Sequence, residues 1–64
     1  MATTITANEA GQRLDRYLRK RFSSQALGDI YRLIRTGQVT VNGRKAKAEY
    51  RLEEGDVLTL PDLN

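Results

Sequence analysis

The 64-residue sequence predicts an α+β fold, in which two packed helices lie on a small, mostly antiparallel sheet. Two segments, about 12–22 and 25–36, carry apolar residues at the i, i+3, i+4 spacing of an amphipathic helix. Val39-Thr40-Val41 then changes to the alternation of a strand, and Asn42-Gly43 is the commonest pair for a type I′ hairpin turn. The succession of helix, helix and hairpin carries the prediction.

The first helix is predicted from a stripe of large apolar residues. The stripe consists of Leu14, Tyr17, Leu18 and Phe22. We expect these side chains, including the two aromatic ones, to lie in the core. Cations at 19–21 suit the negative pole of a helix dipole, so we expect them to be solvated there. Before the helix, the β-rich residues 3–6 predict either a short edge strand or an ordered arm.

The second helix has an inward stripe of its own. Its members are Leu27, Ile30, Leu33 and Ile34. Ser23-Ser24 ends the first helix and is predicted to cap the second. Gly37 supplies the positive φ that a chain adopts just past a helix. Because the connection is short, the two helices must be neighbours.

The remainder of the chain predicts the rest of the sheet. Residues 46–51 continue the second hairpin strand into an irregular connection, and residues 53–56 form an acidic turn that we expect to be solvated. Residues 57–60 form a last strand, which Pro61 ends because it has no N–H to donate. We interpret 1–64 as one domain and 61–64 as the start of a linker to a missing domain.

Composition excludes several kinds of chemistry. The sequence has no cysteine and no histidine, so it offers no disulfide, no thiolate nucleophile and no zinc site of imidazole or sulfur ligands. We expect no metal and no cofactor. No stretch approaches the apolar length of a membrane span. The expectation is a cytoplasmic monomer that does not bind membranes.

The charges are strongly segregated along the chain. All 11 basic residues lie between positions 10 and 51, whereas five of the 8 acidic residues lie outside that range. Clustered cations release the counterions condensed on a polyanion, which favours a nucleic-acid partner. The alternative is a surface whose net charge of +3 serves solubility alone.

Seven cations are predicted to contact phosphate. They are Arg32, Arg35, Arg16, Lys45, Lys47, Arg44 and Arg13. The two arginines of the second helix, three positions apart, share a face, and planar guanidinium groups suit phosphate. Arg13 has an alternative, since it is able to pair with a carboxylate of the chain itself. The roles of Tyr31 and Tyr50, packing or base stacking, stay open.

Three stretches together, residues 11–18, 33–43 and 52–57, resemble the S4 RNA-binding domain. They read Gly-Gln-Arg-Leu-Asp-Arg-Tyr-Leu, Leu-Ile-Arg-Thr-Gly-Gln-Val-Thr-Val-Asn-Gly and Leu-Glu-Glu-Gly-Asp-Val. The pattern most resembles the amino-terminal S4 module of bacterial large-subunit ribosomal RNA pseudouridine synthases. There an Ala-Gly-Gln-Arg-Leu-Asp opening and an Ile-Tyr-Arg-Leu-Ile-Arg helix are typical.

The resemblance implies that the helix pair and hairpin bind structured RNA, chiefly 23S-type large-subunit ribosomal RNA. It also implies a C-terminal catalytic domain in the same polypeptide. The alternative within the family is a stand-alone S4-type RNA-binding or ribosome-associated protein. Leu27 and Gly28 stand where many S4 domains have a basic residue and a serine, so either affinity is lower or the remaining cations carry more of the contact.

The Arg13-Leu14-Asp15 motif is similar to the catalytic motif of these synthases but continues differently. The synthases use the aspartate of an Arg-Leu-Asp motif that continues into Thr-Ser-Gly, whereas Arg13-Leu14-Asp15 continues here as Arg16-Tyr17-Leu18. We therefore expect Asp15 to pair with an arginine. We expect no catalytic residue and no synthase activity in this chain alone.

Two functions from other classes compete with RNA binding. Val41-Asn42-Gly43 and residues 52–57 also resemble small β-grasp sulfur carriers, which would make the chain a protein-interaction module without nucleic acid. Those carriers need a terminal Gly-Gly and start with a strand, whereas this chain ends in Asp-Leu-Asn and is expected to open on two basic helices. Duplex DNA binding would require the second helix to read a major groove, yet its exposed face offers little that distinguishes bases.

Overall fold

The computed structural model describes residues 1–62 and confirms the α+β prediction. Its elements, in chain order, are β1 (Ala2–Thr4), α1 (Leu14–Arg21), α2 (Leu27–Arg35), β2 (Thr40–Val41) and β3 (Val57–Thr59). The strands form one antiparallel sheet in the order β1-β3-β2, so the last strand is central and β1 is the predicted edge strand. Positions 63–64 of the predicted linker lie outside the described residues.

The opening strand corrects one expected contrast with the β-grasp carriers. A strand, β1, precedes the helices, so the contrast with those carriers that remains is the pair of consecutive helices, α1 and α2. Within residues 1–62, no helix is both long and apolar enough to cross a membrane.

A single apolar core joins both helices to the sheet. Its buried members are Ile5, Leu14, Tyr17, Leu18, Ile30, Leu33, Ile34, Val39, Val41, Leu52, Leu58 and Leu60. The stripe of α1 is confirmed, with Phe22 partly buried against the core. Leu27 was wrongly predicted as core and is 44% exposed. It is the first residue of α2, and helical side chains lean toward the N-terminus, so it reaches beyond the helix end rather than over the core.

The predicted serine cap of α2 is also wrong. The N-cap residue is Ala26, which makes no side-chain cap hydrogen bond, and its carbonyl accepts from the N–H of Asp29 at 3.0 Å. A turn from Phe22 to Gln25 comes first, with the Gln25 N–H donating to the Phe22 carbonyl at 2.9 Å. The serines lie inside that turn, so neither occupies the position from which a side chain bonds the first free N–H groups.

The C-terminus of α2 is a Schellman motif centred on Gly37, at φ +79°. The N–H of Gln38 donates to the Leu33 carbonyl at 3.0 Å, and the N–H of Gly37 donates to the Ile34 carbonyl at 3.3 Å. These bonds satisfy carbonyls that a helix end leaves free, and they turn the chain directly into Val39 and β2. The predicted role of Gly37 is confirmed.

The hairpin turn is confirmed, but the strand expected after it is wrong. Asn42 and Gly43 have φ of 53° and 79°, and Val41 and Arg44 exchange hydrogen bonds of 2.8 and 3.0 Å across them. Beyond Arg44, backbone carbonyls turn to α1 instead of extending the ladder. The carbonyl of Tyr50 accepts from the Leu14 N–H at 2.8 Å, and the carbonyl of residue 48 accepts from the N–H of residue 15 at 3.1 Å. Residues 48–50 thereby satisfy N–H groups that the first helical turn leaves free.

Gly37→Ala and Gly43→Ala form a matched test of this backbone. Both glycines have φ +79°, so each substitution should lower the free energy of unfolding by roughly 1–2 kcal/mol. A Cβ on Gly37 would lie 2.9 Å from Cε of Lys45, whereas one on Gly43 would have no atom within 4 Å. Because the Lys45 side chain is flexible, urea unfolding should give similar losses for the two variants. A much larger loss for Gly37→Ala would show that Lys45 is unable to move.

Candidate nucleic-acid interface

All seven cations predicted to contact phosphate have exposed side chains. Arg32 and Arg35 lie in the last turn of α2, and Arg44, Lys45 and Lys47 follow the hairpin turn. Apart from the pair formed by Arg13, no described carboxylate within residues 1–62 neutralises any of them at salt-bridge distance. Their charges are therefore available to a partner.

Lys45 connects the hairpin to the end of α2. A Cβ placed on Gly37 would lie 2.9 Å from Cε and 3.6 Å from Cγ of Lys45. The aliphatic part of the lysine therefore crosses the backbone just past the helix, where only glycine leaves it this room. A cation near a helix C-terminus is also favoured by the helix dipole.

Two shallow recesses adjoin one another along residues 46–49. The hairpin recess, about 630 Å³, is lined by Val41, Asn42, Arg44, Lys45, Tyr50 and part of that segment. The helix recess, about 410 Å³, is lined by Tyr31, Ile34, Arg35 and residues 46–49. They share Ala46, Lys47 and Glu49. One continuous surface thus runs from α2 to the hairpin.

The structure brings four of the seven predicted cations together around these recesses: Arg35, Arg44, Lys45 and Lys47. Arg32 and Arg16 are exposed but line neither recess. Arg13 takes the alternative that the sequence left open, because its guanidinium pairs with Asp15 at 3.2 Å while its side chain is still 47% exposed.

Asp15 is a buried junction between the two helices and is 8% exposed. One oxygen accepts from the backbone N–H of Arg16 at 2.8 Å and from Nε of Arg13 at 3.2 Å. The other accepts from Nη2 of Arg13 at 3.2 Å and from the hydroxyl of Tyr31 at 3.1 Å. The expected pairing with an arginine is confirmed. The hydrogen bond from Tyr31 was not predicted from the sequence. This bond fixes the exposed ring of Tyr31 on α2.

Asp56 corrects the prediction of a solvated acidic turn, because it is only 8% exposed. Its carboxylate accepts from the Tyr50 hydroxyl at 2.7 Å, from Nδ2 of Asn42 at 3.0 Å and from the Glu53 N–H at 2.9 Å. Asn42 also accepts from the N–H of Val57 at 3.0 Å through Oδ1. This Asp56 network, made of Asn42, Tyr50, Glu53 and Asp56, holds the hairpin turn against β3.

A signal for this burial was present in the sequence. Leu58 and Leu60 are buried and Val57 is 41% exposed, so inward positions alternate along the strand. Two residues before Leu58, Asp56 lies at an inward position of the same alternation. A carboxylate there must find donors, and Asn42 and Tyr50 provide them.

Hydrogen bonding shifts the acidity of both members of the closest pair. The hydroxyl of Tyr50 and the N–H of Glu53 stabilise the ionised carboxylate, which holds the pKa of Asp56 below its usual range despite burial. The same hydrogen bond and the nearby negative charge raise the pKa of Tyr50 to about 12. Both shifts favour an ionised Asp56 beside a neutral Tyr50 across the neutral pH range.

A helix pair followed directly by a hairpin, with cations gathered where the second helix ends, defines the chain as a small α+β module with a basic face. The sequence model of the S4 domain matches residues 12–58, so the chain belongs to the S4 domain family. The resemblance found in the sequence is confirmed.

Curated relatives match across most of the chain. Ribosomal large subunit pseudouridine synthase C of Escherichia coli (strain K12) is 47% identical over 57 residues, which are 89% of this chain. The proteins of the same name from Yersinia pestis and Vibrio cholerae (serotype O1, strain ATCC 39315 / El Tor Inaba N16961) are 45% and 44% identical over 58 and 57 residues, 91% and 89% of this chain. The matched segment is 18% of the length of each of these relatives.

Asp56→Asn tests the network through its pH dependence. A carboxylate whose folded pKa is lowered contributes stability that is complete above its unfolded pKa, about 3.9, and is lost as pH falls through the folded value. Urea unfolding between pH 7 and pH 2 should therefore show a smaller acid loss in Asp56→Asn. At pH 7 this variant should be less stable by roughly 1–3 kcal/mol, because donors lose their charged acceptor.

Glu54→Gln is the matched control, because Glu54 lies exposed in the same turn. It should keep the acid loss of the unsubstituted chain. At the other extreme, stability contributed by Tyr50 is complete below pH 10 and is lost as pH rises through about 12, so Tyr50→Phe should remove that alkaline loss. An unchanged acid profile in Asp56→Asn would contradict the network's role.

Proposed function

We propose that this chain is the RNA-binding module of a ribosomal RNA pseudouridine synthase and docks on structured 23S-type large-subunit ribosomal RNA. The docking residues are Arg32, Arg35, Arg16, Lys45, Lys47, Arg44 and, more weakly, Arg13. A C-terminal domain of the same polypeptide performs the isomerisation. The module works as a monomer in the cytoplasm and uses no cofactor of its own.

The observation that carries this proposal is the meeting of Arg35, Arg44, Lys45 and Lys47 around two adjoining recesses in an S4 domain. Phosphates of a folded RNA lie a few ångströms apart, so a surface that binds them needs cations at fixed, neighbouring places. Here Gly37, the hairpin turn and the Asp56 network fix the backbone, while the long side chains adapt their ends. Such a surface recognises RNA shape through the sugar-phosphate backbone more than through base sequence.

The remaining cations extend the same surface with unequal weight. Arg32 and Arg16 are exposed and unpaired by any described carboxylate, so they are free to reach phosphates at the margin. Arg13 already pairs with Asp15 and therefore contributes less. Leu27 and Gly28, at the start of α2, are exposed and uncharged, so contact shifts toward the helix C-terminus and the hairpin.

The comparisons and Asp15 both support catalysis outside this chain. The relatives are named for pseudouridine synthase activity, yet the matched segment is less than a fifth of their length. Asp15, in the only Arg-Leu-Asp motif of the sequence, is buried and already accepts four hydrogen bonds. It has no free oxygen with which to attack a base. The module therefore supplies docking, and the missing domain supplies the reaction.

Charge reversal separates specific docking from net charge. Arg32→Glu with Arg35→Glu should weaken binding to a ribosomal RNA stem-loop by roughly a hundredfold or more, since two charged hydrogen bonds are lost and repulsion replaces them. Arg19→Glu with Lys20→Glu is the matched control. It changes the net charge equally and also lies in the last turn of its helix. Fluorescence anisotropy measures affinity, and circular dichroism checks the fold.

The control pair should bind RNA with only a modest loss. Full affinity in the Arg32 and Arg35 variant would contradict the docking surface. Equal losses in both variants would show that total charge, and not its position, determines binding.

Salt dependence measures how many phosphates are contacted. The four cations around the recesses, each neutralising one phosphate, predict a log-log slope near −3 to −4 and roughly a hundredfold loss of affinity between ~50 and ~200 mM salt. The same titration with duplex DNA as competitor should show a preference for RNA. Absence of binding even at low salt would contradict the proposed function. A preference for duplex DNA would instead indicate a DNA-binding function.

A further inference from the structure

The helix recess has a lining that phosphate binding alone does not require. Tyr31 is 42% exposed and shares the recess with Ile34 and two alanines of the 46–49 segment. Tyrosine is a residue of intermediate burial, so the informative feature is the place of this ring on a recess that Arg35 and Lys47 also line. Its neighbours Ile34 and Arg35 lie three and four positions further along α2 and so share its helical face.

The ring of Tyr31 is held in place before any partner arrives. Its hydroxyl donates to the buried carboxylate of Asp15 at 3.1 Å, and Asp15 is itself fixed by Arg13 and the N–H of Arg16. A ring restrained at both its Cα and its hydroxyl loses little conformational freedom on contact. Preorganisation of this kind favours a stacking platform.

We propose that the helix recess binds one unpaired RNA base, stacked on Tyr31, while Arg35 and Lys47 hold the phosphates on either side of that nucleotide. The inference rests on the proposed RNA-binding function and goes further, because it names the nucleotide class that the surface selects. Bases inside a continuous A-form duplex are stacked on one another and do not reach such a platform, whereas a bulged or loop base does.

The mixed chemistry of the recess favours a base over a phosphate. Tyr31, Ile34 and the alanines offer apolar surface to the flat face of a base. Glu49 lines both recesses among the cations, and a carboxylate there is suited to accept a hydrogen bond from the exocyclic amino group of a base. Arg35 and Lys47 then match the phosphates that flank the same nucleotide.

The test compares two RNA hairpins that share one stem, of which only one contains a single bulged adenosine. The unsubstituted chain should bind the bulged hairpin more tightly. Tyr31→Ala should weaken that binding roughly 5- to 150-fold, the range measured for loss of one base-aromatic stack, and leave the uninterrupted stem unchanged. Tyr31→Phe, the matched control, keeps the ring and loses only the hydroxyl bond to Asp15, so its loss of preference should be smaller than that of Tyr31→Ala.

A second readout does not depend on any variant. With 2-aminopurine in place of the bulged adenosine, stacking on Tyr31 should change the fluorescence of the base when the unsubstituted chain binds. Equal binding of the two hairpins, or equal losses for both in Tyr31→Ala, would overturn the base site and leave the docking surface standing. Failure of the unsubstituted chain to bind either hairpin would overturn the docking surface as well.

Discussion

The basic surface depends on the position of the hairpin, and that position depends on one buried carboxylate. Asp56 gathers donors from the hairpin turn, from Tyr50 and from the Glu53 backbone, so the turn at Asn42 is joined to the later 50–56 segment at one charge. In a domain this small a buried ion is costly unless its oxygens are fully bonded. Here they are, and the bonds hold Asn42 beside β3 while the neighbouring Arg44 and Lys45 stay exposed.

A second constraint joins the same surface to α1. The segment after the hairpin does not continue the sheet, because its carbonyls accept from the first N–H groups of the helix. This exchange replaces a conventional cap, since the N-cap residue Arg13 bonds no backbone N–H with its side chain. One stretch of irregular backbone therefore ends a hairpin, starts a helix and lines both recesses. In a domain of this size, one segment with three structural roles replaces several separate segments.

What the sequence could predict were features with local causes. The stripe of α1, Gly37 at a helix end and Asn42-Gly43 in a turn each follow from neighbours within a few positions, and the structure agrees. What it could not predict were contacts between distant segments. Lys45 crosses Gly37, Ala48 bonds to Asp15, and Tyr31 bonds to Asp15 from the other helix. The individual cations were identifiable as exposed, whereas their grouping around two recesses depended on these long-range contacts.

Asp15 shows how a motif changes meaning with its surroundings. Catalysis needs a carboxylate with a free oxygen next to substrate, but this one is enclosed by donors from α1 and by Tyr31 from α2. Its negative charge has a structural role, because it binds Arg13 and fixes the ring of Tyr31 on the cationic face. Here the carboxylate instead supports the positions of Arg13 and Tyr31. The cationic face of this domain therefore depends on buried carboxylates as well as on exposed basic side chains, because Asp15 fixes the ring of Tyr31 and Asp56 fixes the hairpin turn.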